Sequence, residues 1–336
     1  MRWLHRLLLL LGSALFVWLV SQVGLAAVWE EASKLGWGIV VIVLIDGLGD
    51  LLHTWGWQRC FTREHRPGLL RLWWPHLAGS AVNYVTPTAT LGGEVVKGTL
   101  VPRGIPGREA AASLTINKLT VTLADLILAV AGVSVLVASA SLAPEWKLGA
   151  LAGGLLFVGG TVAFWVLQRR GQLAGLVGRR SVLQRFLGKE RAARVAHLSE
   201  DIDERIADFH AAGRGDAVVS TLLHLAGKAI GAVQLALFFY WLGVPVGPFS
   251  VVSIFLVARA IELAAFFVPA SLGTQEGGLM LAMSLVSIPV SLGLTFSLVL
   301  RLEQIFWAGI GFVAYAGVLW QRRSKTPPPV PPTELP

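Results

Sequence analysis

Apolar stretches of about twenty residues recur along this chain, at about 4–23, 36–57, 110–137, 148–167, 217–242 and 291–320. About twenty apolar residues cross the hydrocarbon core of a bilayer as a helix. Charged residues make up only 14% of the 336 residues, against about 25% in a soluble domain. A very hydrophobic soluble helical protein would still need that charge to cover its surface. The sequence therefore predicts an all-α polytopic membrane protein.

Two further apolar regions are interrupted. Region 72–100 contains Pro75, Asn83, Pro87, Gly92, Gly93, Glu94 and Lys97. Region 251–288 contains Arg259, Glu262, Pro269, Gly273 and Glu276. Neither half of the first region is long and clean enough to cross alone. Broken backbone at membrane depth is tolerated only where protein or a wet cavity supports it. Both regions are read as re-entrant hairpins, beside about six full spans. Eight crossings would also fit, if 251–268 and 270–288 each crossed.

The net charge of +8 does not point to nucleic acid, because the basic residues sit between the spans. They cluster at Arg2 and Arg6, 59–71, 169–214 and 322–325. Such clusters mark cytoplasmic loops. Both termini and the segment 169–216 are thus expected in the cytoplasm, in a bacterial inner membrane. Within 169–216, apolar residues fall at helical spacing between mixed charges over 182–209. This reads as an amphipathic helix whose basic residues meet anionic headgroups. The first stretch could instead be a cleaved signal peptide, since Ala26-Ala27 follows it, but its length and the later spans favour a retained helix. Most of the 13 Trp lie near span ends, at headgroup level. The proline-rich tail 321–336 is expected to be disordered.

One cysteine, Cys60, allows no intrachain disulfide. Asp46, Asp50 and His53 recur at i, i+4 and i+7 and share one helix face. They could be a proton relay, a metal site or a polar stripe against the hairpin, and two carboxylates with one His are too few to name a metal. No P-loop, dinucleotide fingerprint or nucleophile triad is visible, so no cofactor is expected. Gly153-Gly154 and Gly159-Gly160 read as close helix packing.

The two broken regions resemble each other. Each has a proline, then a Leu-Gly pair, then a glutamate, and both Pro87 to Glu94 and Pro269 to Glu276 span 7 residues. With a long span before and after each, this suggests an inverted repeat, with a first repeat at about 36–137 and a second at 217–320. Transporters built this way hold substrate at the repeat interface. Chance likeness of two Pro/Gly-broken segments is the alternative.

The stretch Asn83-Tyr-Val-Thr-Pro87, followed by Gly92-Gly93-Glu94-Val-Val-Lys97, resembles the first signature of the flippase-like family named for the transmembrane domain of lysylphosphatidylglycerol synthase. Pro269-Ala-Ser-Leu-Gly-Thr-Gln-Glu276 resembles its second, usually Pro-Gly-Gly-Leu-Gly-x-x-Glu. The resemblance runs from about Arg6 to Trp320. Lys97 stands where the family usually has arginine, and Ala270-Ser271 replaces Gly-Gly. Asn117-Lys118 stands where Glu-Arg often precedes an aspartate, here Asp125. The resemblance implies a lipid or lipid-linked substrate moved between leaflets, with membrane lipids and lipid-biosynthesis proteins as partners. Only 16 residues follow Trp320, so this sequence is not expected to make aminoacyl-lipid by itself. Stand-alone members include ones associated with hopanoid biosynthesis.

The expected substrate-binding residues are Asn83, Pro87, Gly92, Gly93, Glu94, Lys97, Lys118, Pro269, Gly273, Glu276 and Arg301. Glu94 and Glu276 lead, because a carboxylate in a bilayer costs at least about 2.5 kcal/mol unless paired or wet. They could equally be structural, capping the N–H groups of a broken helix. Both glutamates are expected to face one cavity, with Lys97, Lys118 and Arg301 as counter-charges. Arg259 is expected to pair with Glu262, one turn away. Arg301 and Glu303 point to different faces and need separate partners. A membrane-embedded enzyme using the glutamates as acid and base, and an accessory subunit of a lipid-biosynthesis complex, are the other readings.

Overall fold

The computed structural model describes residues 29–30, 33–85, 91–139, 144–169, 214–265, 268 and 271–324. The expected first span, the amphipathic stretch 182–209, Pro87, Pro269 and the tail beyond Ser324 lie outside the described residues. Among the described residues nine α-helices follow one another: α1 (Gly38–Arg59), α2 (Leu69–Val85), α3 (Leu91–Leu100), α4 (Gly107–Ala138), α5 (Pro144–Arg169), α6 (Arg214–Leu242), α7 (Pro248–Ala264), α8 (Thr274–Ser284) and α9 (Val290–Ser324). A 3-10 turn at Arg63–His65 joins α1 to α2. There is no strand among the described residues. The chain is an all-α polytopic membrane protein, as its sequence predicts.

Among the described residues four helices are long and apolar enough to cross a membrane: Gly38–Arg59, Gly107–Ala138, Gly215–Leu242 and Val290–Trp320. A shorter apolar stretch, Lys147–Gly160, lies in α5. Each long helix turns large apolar side chains outward, such as Leu44, Ile127, Leu222 and Val313, where hydrocarbon covers them. The broken regions are short helices. α2 and α7 have 17 residues each, α3 has 10 and α8 has 11. At about 1.5 Å per residue these reach about 25, 25, 15 and 17 Å, short of the ~30 Å core. An 11-residue α8 cannot cross, which removes the eight-span alternative. The sequence boundaries shift in one place. α9 continues to Ser324, so 321–324, expected in the tail, are helical.

Local signals place the breaks. Pro248 opens α7 at its first turn after Gly247, where its missing N–H costs nothing. Gly243, with φ +68°, stops α6. Gly273, with φ +75°, immediately precedes α8, and Ser271 two residues earlier also has positive φ. That left-handed backbone turns the chain between α7 and α8.

The helix contacts of 38–138 recur in 214–324. α1 and α6, the first helices of the two halves, run antiparallel along their length. Arg59 meets Asp216 at one end, Gly49 approaches the Gly227 carbonyl in the middle, and Gln234 donates to the Ile42 carbonyl beyond it. Each half then lends its last helix to the other half's hairpin: α9 packs along α2, and α4 packs along α7. The same device makes both contacts. A Cβ on Gly311 would fall 2.3 Å from the Leu77 carbonyl oxygen, and one on Gly132 would fall 2.2 Å from that of Leu256. Small residues let backbones approach closely where lipid offers no hydrophobic drive. Two apolar clusters fill the remainder. One centres on Phe238, Ile254, Met283 and Phe296, the other on Trp57, Phe61, Leu72 and Ile116.

Candidate functional site

Each hairpin carries its motif glutamate in the first turn of its second arm, Glu94 on α3 and Glu276 on α8. A carboxylate there faces the positive end of the helix dipole. In the first hairpin, Asn83 closes the turn by accepting the Gly93 N–H at 2.7 Å. The arms cross so closely that a Cβ on Gly93 would lie 2.1 Å from the Gly79 carbonyl oxygen. Gly92 precedes this crossing within α3. Lys97 lies over Gly79 and donates to Glu94 Oε1 at 3.1 Å. Lys118, on the exposed face of α4, stands within electrostatic reach of Glu94, Lys97 and Asp125.

In the second hairpin Glu276 is fully buried. Arg301 of α9 donates from Nε to Glu276 Oε1 at 2.9 Å, and from its terminal nitrogens to the Ser271 carbonyl and Gln304 Oε1. This guanidinium ties the broken turn before Gly273 to the last span. Gln304 Nε2 in turn donates to Gln275 Oε1 at 3.0 Å. Both motif glutamates thus share one pattern: one carboxylate oxygen meets a cation, and the other, Oε2, is buried without a hydrogen-bond partner among the described residues.

A polar cavity lies elsewhere. A space of about 200 Å³ opens among α1, α6, α7, α8 and α9. Its polar walls are Asp46 and His53 from one half, and Lys228, Arg259, Glu262 and Glu303 from the other. Neither Glu94 nor Glu276 lines it. The second motif reaches it through Gln275 and Gln304, so the glutamates do not meet across this space as the sequence suggested. Sequence spacing could not find Gln234, Gln275 and Gln304, which all line it, because an amide inside a span carries no charge signal.

Around the cavity the cations are paired, one across helices and one within its own helix. Lys228 of α6 meets Asp125 of α4 at 2.8 Å. Arg259 meets Glu262 at 2.5 Å, the intrahelical pair that their spacing predicts. Glu303 accepts a close hydrogen bond from Gln234, while Arg301 goes to Glu276, so their partners are separate as expected. The stripe on α1 packs against the first hairpin and α6. Asp50 meets His76 Nε2 at 3.3 Å, and His53 and His224 share a hydrogen bond between their Nδ1 atoms at 2.9 Å. His224 Nε2 reaches Asn117 Oδ1 at 3.0 Å. No group of three or more metal-ligating side chains is gathered among the described residues.

No curated protein and no solved structure matches the chain. The family model described as the lysylphosphatidylglycerol synthase TM region matches residues 4–311. That range covers both hairpins, the cavity and every long helix up to the middle of α9. The chain belongs to the family of the lysylphosphatidylglycerol synthase transmembrane region.

Proposed function

We propose that this protein moves a lipid or lipid-linked substrate between the leaflets of a bacterial inner membrane. The observation that carries the reading is the charged cavity lined by the long helices α1, α6 and α9 and by the second hairpin. Ionisable groups at this depth are costly, and they mark substrate or ion pathways. A volume of about 200 Å³ is below the range of about 300–1,000 Å³ that holds a whole drug-sized ligand. It suits a polar headgroup whose acyl chains stay in the bilayer. Membership of a lipid-related membrane family supports the same class. Asn83, Gly92, Gly93, Glu94, Lys97 and Lys118 then serve as the headgroup-responsive end of the first hairpin, and Gly273, Glu276 and Arg301 as that of the second. Pro87 and Pro269 keep the proposed role of breaking the two helices. A lipid phosphate competes for the cations that now hold the glutamates.

The positive-inside distribution of charge supports cytoplasmic termini and a cytoplasmic segment 169–216 in contact with anionic lipids. A link to hopanoid biosynthesis, or to lipid-biosynthesis proteins as partners, rests on the family resemblance alone. The enzyme reading requires Glu94 and Glu276 to reach one reacting group. Glu276 is enclosed on Arg301 and both lie off the cavity, which favours transport.

The test is lipid movement in proteoliposomes of phosphatidylethanolamine and phosphatidylglycerol, read by quenching of a headgroup-labelled lipid from outside. Glu94→Gln and Glu276→Gln are each expected to slow movement at least about tenfold, the equivalent of ~1.4 kcal/mol, while inserting normally. Wild-type rates in both variants would defeat the proposal.

A further inference from the structure

The buried cations of the membrane core are each taken by one carboxylate. Lys97 has Glu94, Lys228 has Asp125, Arg259 has Glu262 and Arg301 has Glu276. Two cavity carboxylates are left over, Asp46 of α1 and Glu303 of α9. Neither has an ion-pair partner among the described residues. They stand within electrostatic reach of each other and of Asp50. The cation within electrostatic reach of Asp46 is Arg259, already held by Glu262.

The repeat gives this surplus a structural origin. Lys228 stands 48 residues before Glu276, as Asp46 stands 48 before Glu94. Trp307 stands 31 residues after Glu276, as Asp125 stands 31 after Glu94. The Lys228–Asp125 pair, which joins the two halves, therefore corresponds to Asp46 and Trp307, which join them a second time. Trp307 supplies no charge. Its indole fills the space over Gly47 and donates to the Val43 carbonyl at 2.9 Å. Asp46 lacks the counter-charge that its symmetry mate possesses.

A second feature runs into the same cavity. His53, one of its walls, shares one proton with His224, because an Nδ1 to Nδ1 hydrogen bond at 2.9 Å needs one donor and one acceptor. With Asn117 Oδ1 accepting from His224 Nε2, the network assigns the shared proton to His53 Nδ1. His53 Nε2 is then a bare acceptor, left open by Gly227, whose Cβ would sit 3.0 Å away. The charges facing the two imidazoles are Lys228 and Lys97, with His76. His76 bonds Asp50 through Nε2, keeps a buried and unpartnered Nδ1, and faces Lys97 and Glu94. Proton-binding groups thus run along one face of α1 from the cavity to the first hairpin.

We propose that Asp46 and Glu303 form a proton-binding site in the cavity, continued by Asp50 and the His53–His224 pair toward the first hairpin, and that this proton is the ion coupled to transport. Coupling rests on the transport reading above, whereas proton binding does not. A proton on the Asp46–Glu303 pair removes surplus negative charge from the membrane core. Its release restores that charge, which the cavity's cations or a bound headgroup must then answer. The site joins α1 of one half to α9 of the other, so loading it acts on the interface along which the halves would move.

The test uses the full chain in two arms. In detergent, proton uptake is measured with a pH-indicator dye between about pH 9 and pH 6, a window in which water-exposed carboxylates stay ionised. Wild type is expected to take up about one proton more than Asp46→Asn or Glu303→Gln, with Glu145→Gln, on the exposed start of α5, as the unchanged control. Size-exclusion profiles report folding, and Asp46→Asn carries the test if Glu303→Gln aggregates. Equal uptake in wild type and Asp46→Asn overturns the proposal. In proteoliposomes of phosphatidylethanolamine and phosphatidylglycerol, a gradient of about two pH units is expected to bias wild-type movement of labelled lipid, by up to about 100-fold for one proton. Asp46→Asn is expected to lose the bias. Wild-type movement indifferent to the gradient overturns the coupling. Uptake lost in the variant, with no lipid movement by wild type, leaves the proton site standing and defeats the transport reading instead.

Discussion

Replacing Glu276 with glutamine keeps the shape of the side chain and removes its charge from a position with no solvent exposure. Breaking a buried ion pair by removing one partner costs about 3–5 kcal/mol, because the other charge is left buried. Arg301 keeps two neutral acceptors, the Ser271 carbonyl and Gln304 Oε1, so the cost belongs at the low end, about 3 kcal/mol. At about 2–4 °C per kcal/mol for a large domain, the midpoint of thermal aggregation in detergent is expected to fall by about 6–12 °C. Arg301→Gln is expected to cost at least as much, since it also frees the Ser271 carbonyl. The double variant Glu276→Gln/Arg301→Gln is expected to lose clearly less than the sum, because no charge is then stranded. Fluorescence-detected size-exclusion after heating measures all four proteins. Additive losses, or an unchanged midpoint for Glu276→Gln, would show that the pair does not hold the second hairpin to α9.

The glycine contacts make a sharper local test. Gly132→Ala and Gly311→Ala push a methyl into a backbone carbonyl at 2.2 and 2.3 Å and are expected to lower the yield of monodisperse protein, whereas Gly309→Ala, with nothing within 4 Å, is expected to match wild type. Cysteine at Ser199 in a Cys60→Ala background is expected to resist an impermeant thiol reagent in intact cells, and ready labelling from outside would invert the topology. Gln at Arg169, Arg170, Arg179 and Arg180 together is expected to impair insertion more than transport, and a variant that inserts normally but is inactive contradicts that assignment.

The spans were legible because hydrocarbon imposes a length and a charge limit that a linear sequence displays directly. The helices 38–59, 107–138, 214–242 and 290–324 lie within a few residues of the apolar stretches. The hairpins were legible for the related reason that Pro, Gly and charge together cannot cross alone. The Arg259–Glu262 pair followed from spacing within one helix. Partners on different helices could not be read this way.

What the sequence determined by itself is therefore the class of fold, the places where the membrane helices break and the motifs that tie the chain to its family. Each is a property of one segment measured against the bilayer. Which glutamate meets which cation, and which residues face the cavity, depended on how the two halves pack. Asp125 meets Lys228 across 103 positions and Gln234 meets Glu303 across 69, distances at which helical periodicity carries no information. The glutamates, alike in sequence, both lie off the cavity, and α4 and α9 are exchanged between the hairpins. Close packing of glycine on backbone decided that exchange, and only the assembled helices display it.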